Sequence, residues 1–74
     1  MSQAEQETGV KDLSYNLISV IYHTTNAVTL YDTYIKDAEE AGDQDCAQFL
    51  RETQEAAKEV AKKAQTLLTG HLSK

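Results

Sequence analysis

Proline is absent from the 74 residues, glycine occurs three times and cysteine once, at position 46. A chain this short usually needs disulfides, a metal or oligomerisation to hold its fold. One cysteine excludes an internal disulfide, which leaves metal or oligomer. An all-β chain of many short strands needs frequent glycine and proline turns, so the scarcity of both argues against that class. Tryptophan is missing as well, and there is a single phenylalanine. Basic residues are few, 7 against 12 acidic ones, for a net charge of −5. Nucleic-acid binding rests on clustered Lys and Arg that neutralise phosphates. The one cluster here is Lys58, Lys62 and Lys63, interleaved with Glu55 and Glu59. That pattern reads as a solvated helix face with i,i+3 and i,i+4 ion pairs. No nucleic-acid partner is expected.

Charge is also missing from one long stretch. Ser14 to Tyr31 contains no Asp, Glu, Lys or Arg. Its length of about 18 residues is the lower limit for a membrane span. It carries Ser14, Asn16, Ser19, His23, Thr24, Thr25, Asn26 and Thr29, too many polar groups for hydrocarbon. No membrane partner is expected. The first dozen residues are polar and acidic and do not read as a signal peptide. With a single thiol, a cytoplasmic setting is the expectation.

What is present is helical periodicity. Residues 1–12 lack it and are expected to form a flexible arm, with Asp12 or Ser14 as the first N-cap. From there Leu17, Ile21, Thr24, Val28, Tyr31, Ile35 and Ala38 recur at alternating spacings of four and three. This is one face of an amphipathic helix, expected over 13–41. Gly42 suits a C′ position, where positive φ is required, and Asp43 is a good N-cap for a second helix. In that helix Cys46, Leu50, Thr53, Ala57, Val60, Ala64 and Leu67 repeat the same spacing. It is expected over 44–69, fraying near Thr69 and Gly70, with 71–74 as a tail. At 1.5 Å per residue the helices are about 42 Å and about 38 Å long. Joined by a turn at 42–43, they must form an antiparallel hairpin. The fold class is therefore all-α, a two-helix hairpin.

The apolar content exceeds what a hairpin covers. Tyr15, Ile18, Tyr22 and Leu30 flank the first stripe, and Phe49, Ala56, Ala61 and Leu68 flank the second. Stripes this wide belong to helices inside a bundle, so the hairpin is expected to homodimerise into four helices, or to assemble further. The neutral row Asn16, Ser19, His23 and Asn26 points to an interface on the first helix, since a solvated row would usually carry charge.

Candidates for chemistry are few. His23, beside the seam, is a weak candidate metal ligand or proton carrier, and hydrogen bonding at an interface is the simpler reading. His71 falls in the expected tail. Glu52, Glu55 and Glu59 are weak metal candidates, because they share a face turned away from the seam and no histidine follows any of them by three residues. The Glu-x-x-His of di-iron carboxylate bundles is thus absent. Cys46 sits in the first turn of the second helix, where a dipole can activate a thiol, yet it also occupies a seam position. Tyr15, Tyr22, Tyr31 and Tyr34 read as packing residues with hydroxyls at the rim. No phosphate-binding glycine loop or Ser–His–Asp arrangement occurs. The expectation is therefore no catalytic residues, no cofactor and no metal.

From Asn16 to Leu68 the chain resembles the first helix pair of rubrerythrins and other ferritin-like proteins. The shared features are the opening Asn16–Leu17, then Ala27, Tyr31, Ala38, Gly42 at the turn, Ala47, and a Glu-rich second helix ending in Leu67–Leu68. The resemblance implies a glutamate ligand at the position of Thr24 and a Glu-x-x-His at Ala57 and Val60. All three are replaced. The resemblance thus implies the fold of a ferritin-like bundle and a loss of its metal. Two-helix members that dimerise to complete the bundle, the encapsulated ferritins, make a half-length relative plausible. The function expected is a non-catalytic structural or protein-interaction module, with itself and an unidentified protein as partners. Two rival classes remain open. One is a metal or redox enzyme whose displaced site at the dimer interface uses His23 with Glu or Asp of a second chain, helped by Tyr31. The other is a carrier of a small apolar ligand, given the alanine-rich second helix.

Overall fold

The structure, a computed structural model, describes residues 12–73. The flexible arm expected for residues 1–12 lies outside that range apart from Asp12. Two helices, α1 (Leu13–Glu40) and α2 (Gln44–Leu72), pack against each other as an antiparallel hairpin. The fold is all-α.

Asp12, not Ser14, caps α1. Its side chain accepts a hydrogen bond from the Tyr15 backbone N–H at 2.8 Å, satisfying one of the donors that a helix start leaves unpaired. At the other end the chain closes a Schellman motif. The Asp43 N–H donates to the Ala38 carbonyl and the Gly42 N–H to that of Glu39, both at 3.0 Å. Asp43 then serves a second purpose, because its carboxylate accepts from the Cys46 N–H at 2.9 Å and so caps α2. One residue ends one helix and starts the next, which is why the turn is so short.

Gly42 has φ +75°, the left-handed region that a side chain disfavours. A Cβ there would meet nothing within 4 Å, so the penalty of a substitution is purely conformational. Gly42→Ala is expected to cost about 1 kcal/mol, read as a lowered urea midpoint with an unchanged slope.

Two expected boundaries shift. The first helix ends at Glu40 with Ala41 as its cap, a difference within the usual fraying of helix ends. More substantially, α2 does not stop at residue 69. It runs through Gly70 to Leu72, so residues 71 and 72 are helix and not tail. Glycine costs about 1 kcal/mol inside a helix relative to alanine, which can be offset by burial. Leu68 and His71, on either side of Gly70, are both half-buried on the face toward α1.

In α1 the face toward α2 consists of Leu17, Ile21, Thr24, Val28, Tyr31 and Ile35, all half-buried, and Ala38, which is buried. In α2 the face differs from the expected one. Leu50, Ala57 and Ala64 belong to it. The accompanying row is Ala47, Gln54, Ala61 and Leu68, in place of Cys46, Thr53, Val60 and Leu67. Cys46 is exposed, Val60 and Leu67 are each 49% exposed, and Thr53 is half-buried. The helix is thus rotated about its axis by roughly half the angle between neighbouring residues, or about 50°. The physical reason lies in α1. Its face carries Leu17, Ile21, Tyr31 and Ile35, and small residues opposite let the helices approach closely. Gln54 locks this rotation. It is a buried side chain, and its amide donates to the Val28 carbonyl at 2.9 Å and to the Asp32 carboxylate at 2.8 Å.

The hairpin is 15 Å across its thinnest dimension, barely more than the 10–12 Å of one helix with its side chains. A single layer has no interior. Ala38, Ala47 and Ala64 are the buried apolar residues among those described, and no large side chain is fully enclosed.

Candidate functional site

Helix positions seven apart lie close to one line, so each helix can be followed as parallel rows. On one broad side of the hairpin, the row of α1 beside the seam is Leu13, Val20, Ala27, Tyr34 and Ala41. The corresponding row of α2 is Cys46, Thr53, Val60 and Leu67. A shallow groove lined by Leu17, Val20, Val60, Ala64 and Leu67, with Lys63 at its edge, shows that these two rows share a side. Leu30 of α1 and Phe49 of α2 lie one row further out on the same side.

The opposite broad side differs in character. Glu39 accepts from Arg51 across the seam at 2.9 Å, and Lys58 pairs with Glu55 at 3.1 Å along α2. Gln54 reaches Asp32 over the same edge. A second shallow groove there is lined by Thr25, Val28, Ala61 and Gln65, bordered by Lys58 and Lys62. The rows of this side hold Asp32, Lys36, Glu39, Arg51, Glu55, Lys58 and Lys62. Among the described residues, the first side holds only Asp37 and Lys63. Surface ion pairs of this kind contribute little to stability, commonly under about 1 kcal/mol each. Their informative content is placement, since they mark the side that faces water.

The residues singled out from the sequence are distributed as follows. Thr24 lies in the seam, where its hydroxyl donates to the Val20 carbonyl at 2.7 Å. Ala57 is half-buried on the face of α2 toward α1, whereas Val60 is turned out onto the apolar side. His23 is exposed on α1 and packs edge-on against Tyr22, with ring centroids 5.5 Å apart. Glu52, Glu55 and Glu59 are exposed on α2. Glu55 is held by Lys58, and Glu59 stands 3.7 Å from Lys62. The structure does not bring these carboxylates to His23. Among the described residues, no group of three or more His, Cys, Asp or Glu side chains is disposed to hold a metal ion. Of the neutral row, Asn16 and His23 border the apolar side, while Ser19 and Asn26 lie on the back of α1. His71 is half-buried within α2.

Sequence reasoning missed Gln54 altogether. Its signal was available in the spacing, because Gln54 stands three residues before Ala57 and four after Leu50, on the row that completes the face. Glutamine on such a row is easily set aside as a solvent residue, and only a partner on the other helix reveals it.

No helix among the described residues is long and apolar enough to cross a membrane. No protein-family model, curated protein or solved structure matches the chain.

Proposed function

We propose that this chain is a non-catalytic helical module whose business is protein association, beginning with its own dimerisation into a four-helix bundle. The observation that carries this reading is the exposed apolar side chains. Among the described residues, eleven large ones stand at least 40% exposed, while the buried apolar residues are alanines. A single hairpin cannot offset the conformational entropy of its own ordering with so little burial. Isolated two-helix units of this kind are completed by a second pair.

The kinship with ferritin-like proteins belongs to the same proposal. Thr24, Ala57 and Val60 stand where that resemblance calls for ligands, and none of the three side chains can ligate iron. A relative without the ligands would keep the bundle and lose the redox chemistry.

The test is the solution mass together with metal analysis of protein purified without chelator. The proposal expects a dimer or a multiple of dimers carrying substoichiometric metal. A monomer at micromolar concentration would overturn the association. Stoichiometric iron, zinc or manganese, lost on His23→Ala, would replace this reading with a metal site at the dimer interface.

A further inference from the structure

We infer that the side of the hairpin bearing Val20 and Val60 is the dimer face, and that a second copy docks on it with its turn at the opposite end. This rests on the association reading above and adds the face and the direction.

The choice of face follows from where apolar surface and charge lie. Leu13, Val20, Leu30 and Tyr34 project on this side from α1. Phe49, Val60 and Leu67 join them from α2. Each is between 40% and 63% exposed. At roughly 200 Å² for a fully exposed side chain of this size, they offer about 700 Å² per protomer. A standard stable interface uses about 800 Å² per partner, so this one face supplies nearly the whole of it. The other side exposes Tyr15, Ile18, Tyr22 and Leu72, set among seven charged residues already paired with one another in part. Burying those charges would cost more than the apolar contacts return. The groove lined by Leu17 and Ala64 is also continuous with the seam, so an occupant there extends the existing core.

The occupant is identified by self-complementarity. Ala27 lies at the middle of α1, and its row runs Leu13, Val20, Ala27, Tyr34, Ala41. Two copies facing each other with opposite directions bring Ala27 to its own mate at the two-fold axis. Each Val20 then stands opposite the partner's Tyr34, and each Leu13 opposite the partner's Ala41. Large residues meet smaller ones on both sides of the axis, the arrangement that fills an interface without voids. On α2, Val60 comes near its own mate.

Charge sets the direction. The turn end carries Asp37, Glu39, Glu40, Asp43 and Asp45 against Lys36 and Arg51. The open end carries, among the described residues, Lys62 and Lys63 against Asp12. Two copies with turns together would stack ten carboxylates at one end. With turns apart, the two acidic turns lie at opposite ends of the bundle and that repulsion is avoided. Asp37, the one acid on the face, then stands level with the partner's Asn16, an amide that can donate to it. With turns together it would stand level with the partner's Phe49.

The experiment uses the full chain with Cys46→Ser and Glu40→Cys, a nitroxide being attached at position 40. Sedimentation gives the mass and pulsed electron resonance the distance between labels. Glu40 lies thirteen residues from Ala27, about 20 Å along the helix, so turns apart predict labels about 40 Å apart. Turns together predict about 20 Å, the width of two helices. Val60→Glu is expected to give monomers, and Tyr22→Glu on the opposite side to leave the dimer intact. A dimer with the long distance and this mutant pattern supports the inference. A dimer with the short distance overturns the direction. A dimer lost with Tyr22→Glu and kept with Val60→Glu overturns the face. A monomeric parent chain overturns the association reading itself.

Discussion

A hundredfold dilution is expected to lower the melting temperature by about 5–10 °C. If folding and dimerisation are one event, concentration enters the stability as RT ln of its ratio, about 2.7 kcal/mol for a factor of 100. For a cooperative unit of about 150 residues, 1 kcal/mol moves the midpoint by about 2–4 °C. The structural basis is the poverty of the hairpin's own core. Ala38, Ala47 and Ala64 remove little apolar area from water, whereas the half-exposed Leu, Val, Tyr and Phe side chains remain available to a partner. Circular dichroism melts at several concentrations measure the effect. A midpoint independent of concentration would mean that the hairpin is stable alone, and the proposed need for a partner would fail.

Ala47→Leu is expected to destabilise the protein by about 1–3 kcal/mol, and more if the helices must part. Ala47 is 0% exposed, the most enclosed residue described. It lies in the first turn of α2, four residues past Asp43, whose carbonyl accepts from the Ala47 N–H at 3.0 Å. Ala38 faces it from the last turn of α1. Both methyl groups are buried where the Schellman turn brings the two helix ends together. Three added carbons must either distort the cap or spread the hairpin. The check is a denaturant midpoint at fixed concentration. A change within about 0.5 kcal/mol, typical of an unconstrained surface position, would mean that the turn is looser than the structure shows.

Much of the architecture is legible in the residues. The 4,3 spacing from Leu17 to Ala38 needs no tertiary information to announce a helix and its inner face. Gly42 and Asp43 mark the break because only a left-handed residue followed by a capping side chain closes one helix and opens the next in so few positions. The second helix was less legible. Leu50, Ala57 and Ala64 fit two faces equally, one completed by Cys46, Thr53, Val60 and Leu67, the other by Ala47, Gln54, Ala61 and Leu68. Hydropathy favours the first, and the structure buries the second. The end of α2 was hidden for a similar reason. Gly70 looks like a terminator from local propensity, while burial of Leu68 and His71 carries the helix past it. As for the candidate metal ligands, His23 and the three glutamates could be named from residue type, but their separation on different faces is a tertiary fact.

The order of residues alone specifies a pair of long helices joined by a capped turn. Those properties are local: hydrogen bonds between near neighbours, one left-handed glycine and one shared aspartate settle them. Which rows of α2 meet α1 was decided only in the tertiary structure, because it depends on fitting small side chains against large ones and on the two bonds of Gln54 to a helix more than twenty residues away. That same rotation turns Val60 and Leu67 outward beside Val20, and so creates the apolar side on which the association proposal stands.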